Sequence, residues 1–279
     1  MRICRFRLNN GPRYGLVESV GGTDCITHSL PGPQLHTDES GMADRIVLPK
    51  QQQAEELSKP LPLHEITLLT PLPLLSKVVC VGRNYREHAK ELGNEVPTEP
   101  LIFLKPPSAL LPPGGKIVRP KLSQNVHFEG ELGIVIGKVC HKLPADADVR
   151  EYILGYTCVN DVTARDLQKK DNQWSRAKGF DTFCPVGPVL AIGLDPWKGL
   201  KVQTRVNGEI KQDGTTADFI FQVDVVIRYI AEVMTLLPGD IIATGTPAGV
   251  GPVVAGDVVE VTVEGVGTLR NSVVDEQNP

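Results

Sequence analysis

Short runs of β-branched residues bounded by turn formers recur along the chain. "KVVCVG", "LIFLK", "ILGYTCVNDVT", "PVGPVLAIG", "KVQTRVNGEI", "DIIATGT" and "DVVEVTVEGVGTLRNSV" are each flanked by Gly, Pro, Asn or Asp, as strands are. Two further strand candidates, Ile3 to Leu8 and Gly15 to Ser19, precede the turn-rich "PGPQLHTDESG". The period changes convincingly once. Val223, Val226, Ile227, Ile230 and Met234 recur at i, i+3, i+4, i+7 and i+11, with Asp224, Arg228 and Glu232 on the other side, which predicts an amphipathic helix. A shorter helix is predicted over "YREHAKEL". The pattern as a whole is that of a mostly β chain of the α+β class.

The first 70 residues read as a small N-terminal domain. Prolines in "KPLPLHEITLLTPLPLLSK" are too close for a helix interior and predict an extended linker over residues 59–76, so the main domain spans 71–279, with its first strand at about Lys77. At 279 residues the chain can bury a sizeable core. A net charge of -4 and the lack of a basic patch argue against nucleic acid as a partner. No apolar run approaches the roughly 18 residues of a membrane span. Six cysteines without a C-x-x-C pair, and no leader-like start, predict a soluble, cytoplasmic protein with reduced thiols.

One strand candidate carries ionisable residues where core is expected. "NVHFEGELGIVIGK" places His127, Glu129 and Glu131 at every second position, hence on one face, with carboxylates about 7 Å apart. Such spacing suits an exposed sheet face. The apolar continuation from Ile134 to Ile136 argues instead for burial, and buried paired carboxylates require a cation. All-oxygen ligation points to a hard ion, Mg²⁺, Mn²⁺ or Ca²⁺. Asp161, at the end of the strand "ILGYTCVND", offers a third ligand; it equally suits a helix N-cap ahead of "VTARDLQ". Arg165 and Gln168 share one face of that turn and would present a cation and an amide to an anion.

In "VVCVGRNYREHAKELG", His88 and Glu91 at i, i+3 form a possible general-base dyad, although the same helix reads as a solvated face. Gly82 and Gly93 would let the segment swing as a lid. "TGTPAGVG" at 244–251 matches a nucleotide-binding pattern, but the β-branched "VVAGDVVEVTV" follows where a phosphate-cradling loop would open a helix, which excludes dinucleotide binding.

Taken in order, "GRNYREHAKELG", "PLIFLKPPSALLPPGG", "VHFEGELGIVIG", "NDVTARDLQ", "WSRAKGFDTFCPVGP", "RVNGEI" and "LLPGDIIATGTPAGVG" resemble the fumarylacetoacetate hydrolase family over about Lys77 to Val273. The resemblance implies a mixed β-sandwich roll and a divalent ion, Mg²⁺ or Mn²⁺, on Glu129, Glu131 and Asp161. It implies a catalytic dyad at His88 and Glu91 with Lys178, and substrate contacts from Arg83, Tyr85, Arg165, Gln168 and Thr246. It also implies a homodimer acting on a small oxo acid. The activity expected first is hydrolysis of a carbon–carbon bond in a 2,4-diketo acid such as an acylpyruvate. The alternative is isomerisation, tautomerisation or decarboxylation of related oxo acids, 2-hydroxyhepta-2,4-diene-1,7-dioate or oxaloacetate among them.

Overall fold

The computed structural model describes residues 1–8, 11–39, 41–73 and 76–277. Its β-branched runs form strands that assemble mainly into two sheets. The longer, of twelve strands, follows the order Glu55–Pro62, Thr23–Leu30, Gly11–Val20, Arg2–Leu8, Cys184–Ala191, Ile153–Asn160, Gly130–Ile136, Ile241–Ala243, Val78–Gly82 and Leu101–Lys105, with two short strands off this path. Neighbours along the path are antiparallel except Ile241–Ala243 and Val78–Gly82, which run parallel. A five-stranded sheet orders Lys116–Arg119, Gly267–Asp275, Val258–Val263, Lys201–Val206 and Glu209–Thr215. It packs over the middle of the long sheet, and the apolar faces of both enclose the main core around Leu132, Ile134, Val259 and Val261.

The helix Val223–Val233 buries Val223, Val226, Ile227, Ile230 and Ala231, as its periodicity predicts. Its apolar stripe closes one side of the core. The N-terminal segment does not stand apart in the sheet: Arg2 and Ile3 pair with Ala191 and Leu190. Part of the predicted linker is also hydrogen-bonded, because Leu61 and Pro62 pair with Ile26 and Cys25, and Thr67–Leu69 pairs with the first strand. Residues 74 and 75 of that segment lie outside the described residues.

The predicted strand 125–138 is two strands. Val126–Phe128 belongs to a small three-stranded sheet with Thr163–Ala164 and Gly251–Pro252, whereas Gly130–Ile136 belongs to the long sheet. Glu129 is the junction. Its N–H donates to Asn160 Oδ1 at 2.9 Å and its C=O accepts from Asp161 N–H at 2.8 Å, so the junction is stitched to the end of the strand Ile153–Asn160. Gly130 follows because a Cβ there would collide with Thr204 Oγ1. The break matters for function, since it brings side chains to the junction where the small sheet meets an interior strand of the long one.

Candidate active site

Glu129, Glu131 and Asp161 converge at that junction. One carboxylate oxygen from each lies within 4.8 Å of the others, closer than the 7 Å expected of a continuous strand, because the chain bends at Glu129. All three are buried. Asp161 is no N-cap: the helix it was a candidate to cap begins at Arg165, with Ala164 in the capping position.

Three buried cations surround the acids. Lys178 Nζ donates to Glu129 Oε2 at 2.7 Å and to Asp161 Oδ2 at 2.5 Å. Lys105 Nζ donates to Asp161 Oδ1 at 2.5 Å and to the Val162 carbonyl at 3.1 Å. Arg165 Nη2 donates to Glu129 Oε1, and its Nη1 donates to Gln168 Oε1 at 2.6 Å. Lys105 escaped sequence reasoning, although a lysine closing the apolar strand "LIFLK" directly before two prolines is a legible oddity.

Electrostatics divide the acids. Burial alone would raise the Glu129 carboxyl, but Lys178 and Arg165 outweigh it and hold the group well below the usual carboxylate range. Burial, followed by the charges of Asp161 and Glu129, pushes Glu131 well above that range. Among the described residues the only hydrogen bond to the Glu131 carboxyl comes from the backbone, the Gly245 N–H donating to Oε2 at 2.8 Å. Burial would lower Lys178, yet Asp161 and Glu129 raise it, so its ammonium is kept. A buried carboxyl without a cation beside two that are paired is the donor set a hard divalent ion completes, and the residues fit such an ion.

The loop after Ile241–Ala243 wraps this floor. Gly245 takes φ +99, which L side chains rarely adopt, and a Cβ would lie 2.7 Å from that of Asn84; the glycine is what lets its N–H reach Glu131. Thr246 Oγ1 donates to the Gly130 carbonyl at 2.8 Å. No helix follows, in keeping with the exclusion of a nucleotide loop.

His88 lies on the helix Arg86–Glu91, buried, while Arg86, Glu87 and Lys90 of the same helix are exposed. Its Nδ1 is 3.3 Å from Glu91 Oε2, and both Glu91 oxygens accept from Gly249 N–H, at 3.0 and 3.2 Å. A carboxylate on Nδ1 fixes the proton there and leaves the Nε2 lone pair available. Burial lowers the His88 pKa against the smaller upward pull of Glu129 and Glu91, so the ring is neutral at neutral pH. The helix entry is anchored where a hinge was expected. Gly82 is in register with Leu101, and the Asn84 side chain bonds the Phe221 carbonyl, the Thr244 carbonyl and the Phe221 N–H.

A cleft of about 390 Å³ joins these groups, lined by His88, Glu91, the three acids, Lys178, Arg165, Gln168 and Thr246. Arg83 and Lys169 also line it, with Trp174 and Phe103 as an aromatic wall. Arg83 and Lys169 have no carboxylate partner among the described residues, and Arg83 has its guanidinium 6.0 Å from the Trp174 ring. Tyr85, expected at the substrate, is not part of the lining. It is buried with its ring edge-on to Phe219 at 5.1 Å, because its backbone, in the capping position of the helix, is paired with Phe219. His127, expected on the face of the glutamates, lies outside the cleft because the strand breaks after Phe128. Its Nε2 meets Asn125 Oδ1 at 2.9 Å, and burial and then Arg165 lower its pKa to about 4.

The family model for the C-terminal domain of fumarylacetoacetate hydrolase matches residues 77–274, and the Rv2993c-like N-terminal model matches residues 1–71. The chain is 39% identical over 292 residues to the human mitochondrial oxaloacetate tautomerase FAHD2A, covering 98% of this chain and 92% of that one. It is 39% identical over 267 residues to the oxaloacetate tautomerase YisK of Bacillus subtilis, covering 88% and 87%. The solved structure of a 2-hydroxyhepta-2,4-diene-1,7-dioate isomerase from Mycobacterium marinum superposes with a TM-score of 0.80 at 42% identity over the full length of both chains. Two strand-rich sheets, the acidic junction and these matches lead to one conclusion: the chain belongs to the fumarylacetoacetate hydrolase family.

Proposed function

We propose that the chain interconverts the keto and enol forms of a 2-oxo dicarboxylic acid, oxaloacetate or a close analogue, with Mg²⁺ or Mn²⁺ held by Glu129, Glu131 and Asp161. One observation carries the reading. A buried, neutral His88 shares a cleft with the acidic cluster, and Arg83 and Lys169, without a carboxylate partner among the described residues, stand at its more exposed rim. A divalent ion bound at the cluster supplies Lewis acidity toward the 2-oxo group.

The charges agree with that substrate. With an ion bound and Glu131 ionised, Glu129, Glu131 and Asp161 balance Lys105, Lys178 and Arg165, and a divalent cation balances a dianionic substrate, while Arg83 and Lys169 against Glu91 leave one positive charge in the cleft to favour that anion. His88 Nε2 takes a proton from the C3 methylene, with Glu91 on Nδ1 stabilising the imidazolium that forms. Lys178 faces the negative charge that develops on the 2-oxo oxygen. Proton return to that oxygen gives the enol, and the reverse sequence gives the ketone; no water is consumed. Arg83 and Lys169 receive the distal carboxylate by charge-assisted hydrogen bonds.

Carbon–carbon hydrolysis, the activity expected first, would set the same dyad to work on an attacking water. The names borne by relatives that match nearly the whole chain favour proton transfer instead. The test follows the decay of oxaloacetate enol absorbance with Mg²⁺, after chelation, and in His88→Ala. Acceleration that needs both the ion and His88 is expected; acceleration indifferent to either would overturn the proposal.

A further inference from the structure

The strand Glu209–Thr215 is an edge of the five-stranded sheet, and most of its side chains are exposed or partly exposed. Gln212 is the exception, fully buried between exposed Lys211 and Asp213. A buried amide on an exposed edge requires specific partners, and every polar atom of Gln212 has one. Its Oε1 accepts from Gly130 N–H at 3.0 Å, and its Nε2 donates to Thr246 Oγ1 and to the Pro247 carbonyl, both at 2.7 Å. Thr246 Oγ1 in turn donates to the Gly130 carbonyl, which closes a ring of hydrogen bonds through Gly130, Gln212 and Thr246.

Both backbone groups of the residue between Glu129 and Glu131 are therefore held by this ring. The far side of the ring is the loop whose Gly245 N–H meets Glu131 and whose Gly249 N–H meets Glu91. We propose that Gln212 is a positioning residue that fixes the two glutamates relative to each other and ties their geometry, through the 244–249 loop, to the carboxylate that orients His88. The inference rests on the reading that the acidic cluster binds a divalent ion.

Thr204 provides the control. It lies opposite Gln212 in the same hairpin and beneath Gly130, but its buried Oγ1 has no partner among the described residues. Mn²⁺ is titrated calorimetrically into wild type, Gln212→Met, Gln212→Asn and Thr204→Val, and amide hydrogen exchange is measured on the same proteins. Gln212→Met removes the ring, while Gln212→Asn keeps the amide but is one methylene short and serves if the first variant folds poorly. Either variant should weaken Mn²⁺ binding by about 10- to 100-fold, the range found when residues that orient metal ligands are replaced. Exchange at Gly245 and Gly249 should accelerate while the helix Val223–Val233 keeps its protection, and Thr204→Val should behave as wild type. Wild-type Mn²⁺ affinity in a folded Gln212 variant would overturn the inference, even if exchange in the loop were faster. Failure of wild type itself to bind Mn²⁺ would sink the metal reading, and unchanged exchange at Gly245 and Gly249 would then overturn the positioning role separately.

Discussion

Lys105→Met isolates a contact that the alternation pattern did not disclose. Methionine keeps the length of the stem and removes only the ammonium, so packing in the strand Leu101–Lys105 is preserved. The amine is lost from a pair whose side chains are 0% and 2% exposed, and the Val162 carbonyl loses a donor. Removing one partner of a buried pair costs about 3–5 kcal/mol, because the remaining charge is left uncompensated. Asp161 retains Lys178 at 2.5 Å, which places the cost near the lower end, about 3 kcal/mol. In a chain of this size each kcal/mol moves Tm by about 2–4 °C, so the variant should melt about 6–12 °C below wild type in metal-free calorimetry. Mg²⁺ should raise the variant's Tm more than that of wild type, since the bound ion replaces the missing positive charge beside Asp161. A metal-free Tm within about 2 °C of wild type would refute the reasoning, as would an equal Mg²⁺ response in the two proteins.

Glu131→Gln keeps the shape of the side chain but removes the acid without a cationic partner, so Mg²⁺ or Mn²⁺ affinity measured by calorimetry should fall by well over about tenfold. His88→Ala should retain the ion yet lose about 10²- to 10⁴-fold in the rate of oxaloacetate tautomerisation. The acid limb of kcat/KM should lie below the ordinary imidazole value of 6.5, because burial lowers the His88 pKa and activity disappears only as the ring gains a proton; a limb above that value would contradict the burial argument. Arg83→Met should raise KM for oxaloacetate by about 10- to 100-fold, the worth of a charged hydrogen bond, with little change in kcat.

What the sequence discloses here is what local pattern can carry. The helix Val223–Val233 announces itself through five apolar positions at helical spacing, and each of the four that fall within it is buried. Glu129 and Glu131 are visible because two acids interrupt an otherwise apolar run, and Asp161 because it ends another. The bend at Glu129 is not visible, since it depends on two strands from one apolar run joining different sheets. Gln212 and the Gly245 N–H are equally silent, because their partners lie 34 to 114 positions away, and Lys105 shows only as an odd lysine ahead of two prolines, its partner Asp161 being 56 positions off. The N-terminal residues match a family model of their own, and what the sequence hides for the same reason is that Arg2 pairs with Ala191 in the long sheet. Tyr85 illustrates the converse: a motif neighbour of His88 was expected at the substrate, but its backbone, paired with Phe219 at the helix cap, places its ring in the core.

The central claim is proton transfer on a 2-oxo dicarboxylic acid, and the direct measurement compares two substrates on one Mg²⁺-loaded preparation. Oxaloacetate enol-to-keto conversion and acetylpyruvate cleavage are followed side by side, the latter in ¹⁸O-water with the acetate analysed for label. Proton transfer predicts a kcat/KM for oxaloacetate that exceeds acetylpyruvate cleavage by about 100-fold or more, close to 3 kcal/mol of differential transition-state binding. Cleavage that matches or outpaces tautomerisation, with ¹⁸O in the acetate carboxylate, would contradict it and assign the same dyad to an attacking water.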